Sequence, residues 1–401
     1  MRKDAQTNAA ISILDEFLDG QNLNSILSNW TKNNRYAGSS DRESIRNIVF
    51  DILRVKKTFT SVLEKEKQPI NGRALVFLYS VLYEENLNEI FTGQKYGPVK
   101  LTSFEKEFSK LSNENINECF GIADNIPDFL TDEFKRSLGR NFRNAMRLLE
   151  RRAPISIRVN PLKSDISSIL ECLSLEGIEG KKSKTVRYGI NITGNPRRLT
   201  QIQAFKDGCF EVQDLHSQKI IEDLPVNEHA KVLDYCAGAG GKILSIACSL
   251  NGNGKFYIHD IDKRKLKEAD LRAKRAGVKF KRLEVENLQK YCYSFDSVIA
   301  DVPCSGSGAW RRNPQQKWRI TPESLNEILI RQTIILNEVK DLIKKNGYIF
   351  YITCSVLKIE NEEVIYKFLM ENKNFRLLNK KDVAIDNHGD GFFCAVLQKK
   401  N

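Results

Sequence analysis

Two cysteines, an aspartate and a glycine-rich run are the residues of this chain whose types and spacing could do chemistry. Cys304 stands in Asp301-Val-Pro-Cys-Ser-Gly-Ser-Gly308, after an apolar run that begins at Phe295. Cys354 ends the run Tyr348-Ile-Phe-Tyr-Ile-Thr-Cys354. A cysteine is a nucleophile only as its thiolate, and the commonest fate of a free cysteine is inert burial. Two structural thiols are therefore the competing reading. Both cysteines, however, follow strand-like runs. They would emerge together at the carboxyl edge of a parallel sheet, where such sheets bind ligands. The Asp-x-Pro ahead of Cys304 shifts the balance further toward chemistry.

The glycine-rich run is Asp234-Tyr-Cys-Ala-Gly-Ala-Gly-Gly-Lys242, between a strand-like 230–234 and a helix-like stretch from Ile243. A turn of this kind lets backbone approach a ligand and aims free N–H groups at it. A dinucleotide loop would read GxGxxG, whereas the glycines here are Gly238, Gly240 and Gly241. A P-loop fails too, because Cys236 and Ile243 stand where glycine and Ser or Thr are needed. Asp234 would repel a phosphate but tolerates the ammonium and sulfonium of S-adenosylmethionine. Asp260, at the end of Lys255-Phe-Tyr-Ile-His-Asp260, lies about 20 residues beyond Gly238, the usual distance to a carboxylate that takes ribose hydroxyls.

The elements that must position these groups alternate from about Asp214 onward. Strands are expected over 230–234, 255–260, 279–283, 296–300, 347–353 and Phe392 to Gln398. Helices are expected over 242–250, 263–276, Pro322 to Lys345 (ended by Gly347) and Ile359 to Met370. This alternation predicts an α/β fold with a mostly parallel, doubly wound sheet. Upstream, Ala153 to Pro161, Thr185 to Thr193 and Cys209 to Val212 read as strands, with a helix from Asp165 to Glu176, which makes a small α+β module. Residues before about 128 show helical periodicity, including Ile45, Ile48, Val49 and Ile52-Leu53 on one stripe. Three domains result: 1–128, 129–213 and 214–401.

A helix from Asp132 to Arg152 leads the middle domain. Its Arg136, Arg140, Arg143, Arg147 and Arg151 fall within about 80° of one another at 100° per residue. Phe134, Leu138, Phe142, Ala145 and Leu149 take the opposite side. A solvated helix face usually mixes charge signs, so this ladder is a candidate phosphate track for RNA.

The bulk numbers agree with a soluble, cytoplasmic protein. The 401 residues are 41% apolar, with no run of about 18 apolar residues that would span a membrane. The N-terminus lacks the apolar run of a signal peptide. Nine cysteines without a CxxC pair and four scattered histidines suggest reduced thiols and no metal site. A net charge of +12 favours a polyanionic partner, although a lysine-rich proteome would give the same number.

Taken together, these stretches resemble the RsmB/Sun-type (NOL/NOP/Sun) family of RNA cytosine-5 methyltransferases. The likeness is carried by Asp234 to Lys242, Ile258-His-Asp-Ile-Asp262, Asp301-Val-Pro-Cys-Ser305, Arg311-Arg-Asn-Pro-Gln-Gln-Lys-Trp318, Thr353-Cys-Ser-Val356 and Asp390-Gly-Phe-Phe393. Ile157-Arg-Val-Asn160 and Phe210-Glu-Val-Gln-Asp214 extend it upstream. Ala239 departs from a usual proline, and Gln315 from a usual aspartate. The resemblance implies a Rossmann-like class I methyltransferase sheet, preceded by a small RRM-like RNA-binding module and an N-terminal all-helical NusB-like domain. It implies S-adenosylmethionine as cofactor and RNA, nearest to 16S rRNA, as partner of a monomeric enzyme. By the same pattern Cys354 resembles the nucleophile that adds to cytosine carbon 6, and Cys304 the thiol that assists release. Asp301 would hold the base. Cofactor contacts would come from Cys236, Ala237, Gly238, Ala239, Gly240, Gly241, Lys242, Asp260, Asp301 and an acid after the third strand, Glu286 ahead of Glu284. A tRNA substrate, or a non-catalytic ribosome assembly factor keeping the fold, is the alternative.

Overall fold

The first four strands form one antiparallel sheet. In chain order they are β1 (Ile155–Val159), β2 (Glu179–Lys182), β3 (Gly189–Gly194) and β4 (Phe210–Val212), paired in the order β2-β3-β1-β4. A helix, Ile166–Leu175, joins β1 to β2, and a short one, Gln203–Lys206, precedes β4. This is the ferredoxin-like arrangement. Ile157, Val159, Ile169, Leu173, Ile190 and Phe210 make its core.

The other seven strands are β5 (Lys231–Asp234), β6 (Lys255–Ile258), β7 (Phe280–Arg282), β8 (Phe295–Asp301), β9 (Ile343–Thr353), β10 (Phe375–Val383) and β11 (Phe392–Lys399). Their order is β10-β11-β9-β8-β5-β6-β7. Pairs among β5 to β9 are parallel, while β11 runs antiparallel to both β9 and β10. β5 is buried on both faces, which is why it reads as an apolar run rather than an alternation. Val232 packs in one layer with Ile243, Leu244 and Phe350, and Leu233 in the other with Val298 and Ile349.

This structure is a computed structural model that describes residues 1–110 and 124–400. The chain divides into two units. One holds both sheets (Asp132–Ala145, Ala153–Ala309 and Ile320–Asn401). The other is helical (Met1–Thr131, Met146–Arg152 and Trp310–Arg319). The helical unit packs Ile13, Ile45, Val49, Leu53, Phe59 and Leu78 into one core. Residues 310–319 belong to it through the end of helix Ser39–Arg54. The Trp318 indole N–H donates to the Leu53 carbonyl at 2.6 Å, and Lys317 Nζ to the Arg54 carbonyl at 2.8 Å. These are the carbonyls a helix end leaves without partners. Burial pushes Lys317 down to about 7, against the opposing pull of Glu150. Gln315, one of the two departures from the family pattern, is buried here.

Several sequence expectations need correction. The arginine-bearing helix is not continuous. Thr131–Leu138 and Phe142–Leu149 are separated by a 3-10 turn at Gly139–Asn141, with Gly139 at φ +49°. That left-handed conformation suits glycine and breaks the helical phase. Arg136, Arg140 and Arg143 thus fall in the unit with the sheets, and Arg147 and Arg151 in the helical one. Arg136 also has acids beside it, bonding Glu133 and Glu363. The long helix from Pro322 ends at Val339 rather than Lys345. β9 begins at Ile343 and absorbs Gly347 through a register shift against β8, with Asn346 left-handed. β2 and β10 have no counterpart in the sequence reading. Both are edge strands with polar, exposed residues, and an edge strand needs no apolar alternation.

Candidate active site

The glycine-rich loop is built by backbone geometry. After β5 the chain turns, and helix Gly241–Ser249 begins behind Gly240 at φ +76°. A Cβ on Gly240 would sit 3.1 Å from the Ala269 side chain and 3.2 Å from Phe280. Asp260 shapes the loop directly, accepting the Gly238 N–H at 2.7 Å and the Asp262 N–H at 2.8 Å. Arg272 donates to the Ala239 carbonyl at 3.0 Å and, with Arg275, pairs with Glu211 in β4. The ferredoxin-like sheet therefore braces the loop of the larger sheet.

Beside the loop lies a cavity of about 520 Å³. Of the expected cofactor residues, Cys236, Ala237, Gly238, Ala239, Gly241, Lys242, Asp260 and Asp301 line it. Gly240 does not, being turned into the packing just described. Glu284 pairs with Lys263 at 3.3 Å, and Glu286 sits in the 3-10 turn Val285–Tyr291; neither lines the cavity. Gln213, His259, Arg272 and Arg331 do line it, and no role was read for them from the sequence. His259 and Gln213 stand inside motifs that were recognised, so position could have found them. Arg272 and Arg331 lie on helices with no local signal. His259 bonds the Tyr235 carbonyl through Nδ1 at 2.8 Å, and its buried Nε2 has no partner among the described residues. The carbonyl can only accept, so Nδ1 carries a proton.

The charges are concentrated at the strand ends. Lys242 forms an ion pair with Asp301. Burial alone would lower the Lys242 pKa, but the Asp301 carboxylate overrides it and holds the ammonium above its usual value; Cys354 is close enough to act in the same direction. Burial pushes the Cys236 thiol up. Asp234 is 1% exposed, with one carboxylate oxygen lacking a partner among the described residues. Burial first, and then repulsion from Asp301, push Asp234 up to about 8.

That shift has a testable sign. In the folded protein Asp234 keeps its proton up to about pH 8, whereas unfolded chains release it near the ordinary carboxylate range. The folded state binds more protons between these limits, so stability falls as pH rises through them. Asp234→Asn, which mimics the protonated form, is expected to be more stable than wild type at pH 8 and to lose that advantage toward pH 4. Urea unfolding at several pH values measures the difference; parallel curves would mean that Asp234 is already ionised at neutral pH.

Cys304 and Cys354 meet with their sulfurs 3.4 Å apart. The bond to Cys354, followed by burial, raises the Cys304 thiol well above its ordinary pKa. Pro303, next to Cys304, lines the cavity. β8 and β9 are adjacent parallel strands, so their carboxyl ends deliver the two thiols to one place.

A family model described as 16S rRNA methyltransferase RsmB/F matches residues 222–398. A second, for the RsmF/B-like ferredoxin-like domain, matches residues 126–197. Ribosomal RNA small subunit methyltransferase B of Serratia proteamaculans is 26% identical over 427 residues, covering 98% of this chain and 97% of that protein. This chain belongs to the RsmB/F methyltransferase family. Two solved structures share its fold. A methyltransferase homolog protein from Pyrococcus horikoshii has a TM-score of 0.60 at 24% identity, covering 68% of this chain and 95% of its own. NSun6 from Pyrococcus horikoshii with SFG has a TM-score of 0.61 at 18% identity, covering 69% and 98%. In this RsmB/F-family chain, no group of three or more His, Cys, Asp or Glu among the described residues could hold a metal ion. No described helix is long and apolar enough to cross a membrane.

Proposed function

We propose that the protein is an S-adenosylmethionine-dependent methyltransferase that forms 5-methylcytosine in small-subunit rRNA through a covalent bond from Cys354 to cytosine carbon 6. The observation that carries this reading is the pair of thiols 3.4 Å apart at the strand ends, beside a cavity walled by the glycine-rich loop. The residues present fit the cofactor. The loop offers backbone, Gly238 faces open space, and His259 Nε2, on the cavity wall, lacks a partner among the described residues. NSun6, solved with the S-adenosylmethionine analogue SFG, shares the fold. The relatives' names supply the rRNA.

The bound cofactor would supply an electrophilic methyl group. The chain's own residues do the rest. Carbon 5 of cytosine is a weak nucleophile. Addition of the Cys354 thiolate to carbon 6 pushes electron density onto carbon 5, which splits one difficult step into easier ones. The Lys242 ammonium lies close to Cys354. Asp301, held by Lys242, faces the cavity, where its carboxylate can accept from the amino group of the base and from ring nitrogen 3 once that nitrogen carries a proton. After methylation the carbon-5 proton passes to solvent water with Cys304 assisting, the C–H pair re-forms the 5,6 double bond, and the pair of the Cys354–carbon 6 bond returns to the sulfur.

Incubating reduced protein with 16S rRNA and labelled cofactor, followed by bisulfite sequencing, tests the reaction. A single protected cytidine is expected. Label at another atom would overturn the chemistry, and label in tRNA alone would change the substrate.

Of the exposed Arg136, Arg140, Arg143, Arg147 and Arg151, the RNA-docking test takes Arg140, Arg143 and Arg147. Replacing these three by Gln is expected to flatten the salt dependence of RNA binding. Each lost phosphate contact lowers the log–log slope by about 0.9 on duplex or about 0.7 on single strands. An unchanged slope would leave them as solvated residues.

A further inference from the structure

The two cysteine loops share a buried support that the reaction scheme does not use. Glu360 is fully buried. One carboxylate oxygen accepts the Ser305 N–H at 2.7 Å and the Gln332 amide at 3.2 Å. The other accepts the Ser305 and Ser355 hydroxyls, each at 2.5 Å. Ser305 follows Cys304 in the chain, and Ser355 follows Cys354. Gln332 also donates to the carbonyl of Pro303, at 3.0 Å, so Cys304 is gripped on both sides. Asn361 does the same for Cys354, accepting from the Thr353 hydroxyl at 2.6 Å and donating to the Ser355 carbonyl at 3.0 Å. All four groups on Glu360 are donors, which is what an ionised carboxylate requires. Burial raises its pKa, and these bonds oppose the rise.

We propose that Glu360 is the positioning residue that holds Cys304 and Cys354 side by side, by bonding the residue that follows each. The catalytic meaning rests on the proposed function: attack and release are made by different thiols on one base, so their spacing couples the two steps. Glu360 touches no reacting atom. It acts through Ser305 and Ser355, with Gln332 as a brace.

Thiol spacing can be read without RNA or cofactor. Diamide takes one hydrogen from each of two neighbouring thiols, its nitrogen double bond becoming a hydrazine as the sulfur–sulfur bond forms. Peptide mass spectrometry follows the Cys304–Cys354 crosslink in the full-length protein. Wild type should crosslink fast, since the sulfurs are already 3.4 Å apart. Glu360→Ala should slow it about 100-fold, the scale expected when reacting groups drift by about 1 Å. Removing the Glu360 charge would by itself ease ionisation of Cys304 and speed oxidation, so slowing reports geometry. Glu360→Gln keeps one acceptor oxygen and should recover part of the rate. S-adenosylmethionine affinity should stay within about twofold while kcat falls, because Glu360 does not line the cavity. If Glu360→Ala does not fold, the Ser305→Ala/Ser355→Ala double variant keeps the carboxylate and removes both hydroxyl bonds, and slow crosslinking is expected there too. Wild-type crosslinking in any folded variant without these bonds overturns the proposal. A protein that crosslinks as expected but does not make 5-methylcytosine would sink the proposed function and leave this role standing.

Discussion

Cys354→Ala is expected to give a folded protein with no methyl transfer and no RNA-linked band on a denaturing gel. Without that sulfur, the bond to carbon 6 never forms. Cys304→Ala should behave differently in kind. Attack and methyl transfer proceed, release stalls, and protein covalently linked to RNA accumulates in a cofactor-dependent manner. The double variant should lose that band, because steps within one catalytic unit are not additive. The contact of 3.4 Å between the sulfurs gives the comparison its force, since it sets both thiols at one place. Two merely structural thiols predict only modest destabilisation, about 0.5–3 kcal/mol each, and no trapped RNA. If Cys354→Ala traps RNA and Cys304→Ala does not, the roles are reversed.

Asp260→Ala is the second large effect. Its carboxylate already holds two backbone N–H groups, those of Gly238 and Asp262. A ribose contact would come in addition. Hydrogen bonds to a charged group are worth about 1.5–3 kcal/mol, so S-adenosylmethionine affinity should fall ~10- to 150-fold. A deoxyribose analogue of the cofactor separates the two roles. If Asp260 grips the ribose, wild type loses affinity for the analogue and Asp260→Ala loses nothing further. If Asp260 only shapes the loop, the two losses add. Calorimetry measures both, and unchanged affinity in folded Asp260→Ala removes the residue from the site.

Much of the larger sheet was legible because its strands are buried on both faces and its helices carry regular apolar stripes. Val232-Leu233 and Ile349-Phe350 read as strands from composition alone. The glycine-rich loop was legible too, since Gly238 and Gly240 need left-handed backbone. Edge strands β2 and β10 were not, because a strand paired on one side and wet on the other has no apolar signature. Gly139 was a visible helix breaker that helical spacing of the arginines outweighed.

The sequence by itself determined which groups are present and where they fall locally: two thiols and a carboxyl after strand-like runs, and a glycine-rich turn between strand and helix. Only the tertiary structure decided how those groups are held. Glu360 lies 55 positions from Ser305 in the chain, and Glu211 lies 61 from Arg272. Local pattern follows backbone periodicity over a few residues. A buried carboxylate's partners are set by which strands become neighbours, and that is fixed only when β8 pairs with β9 and the two loops close on one acid.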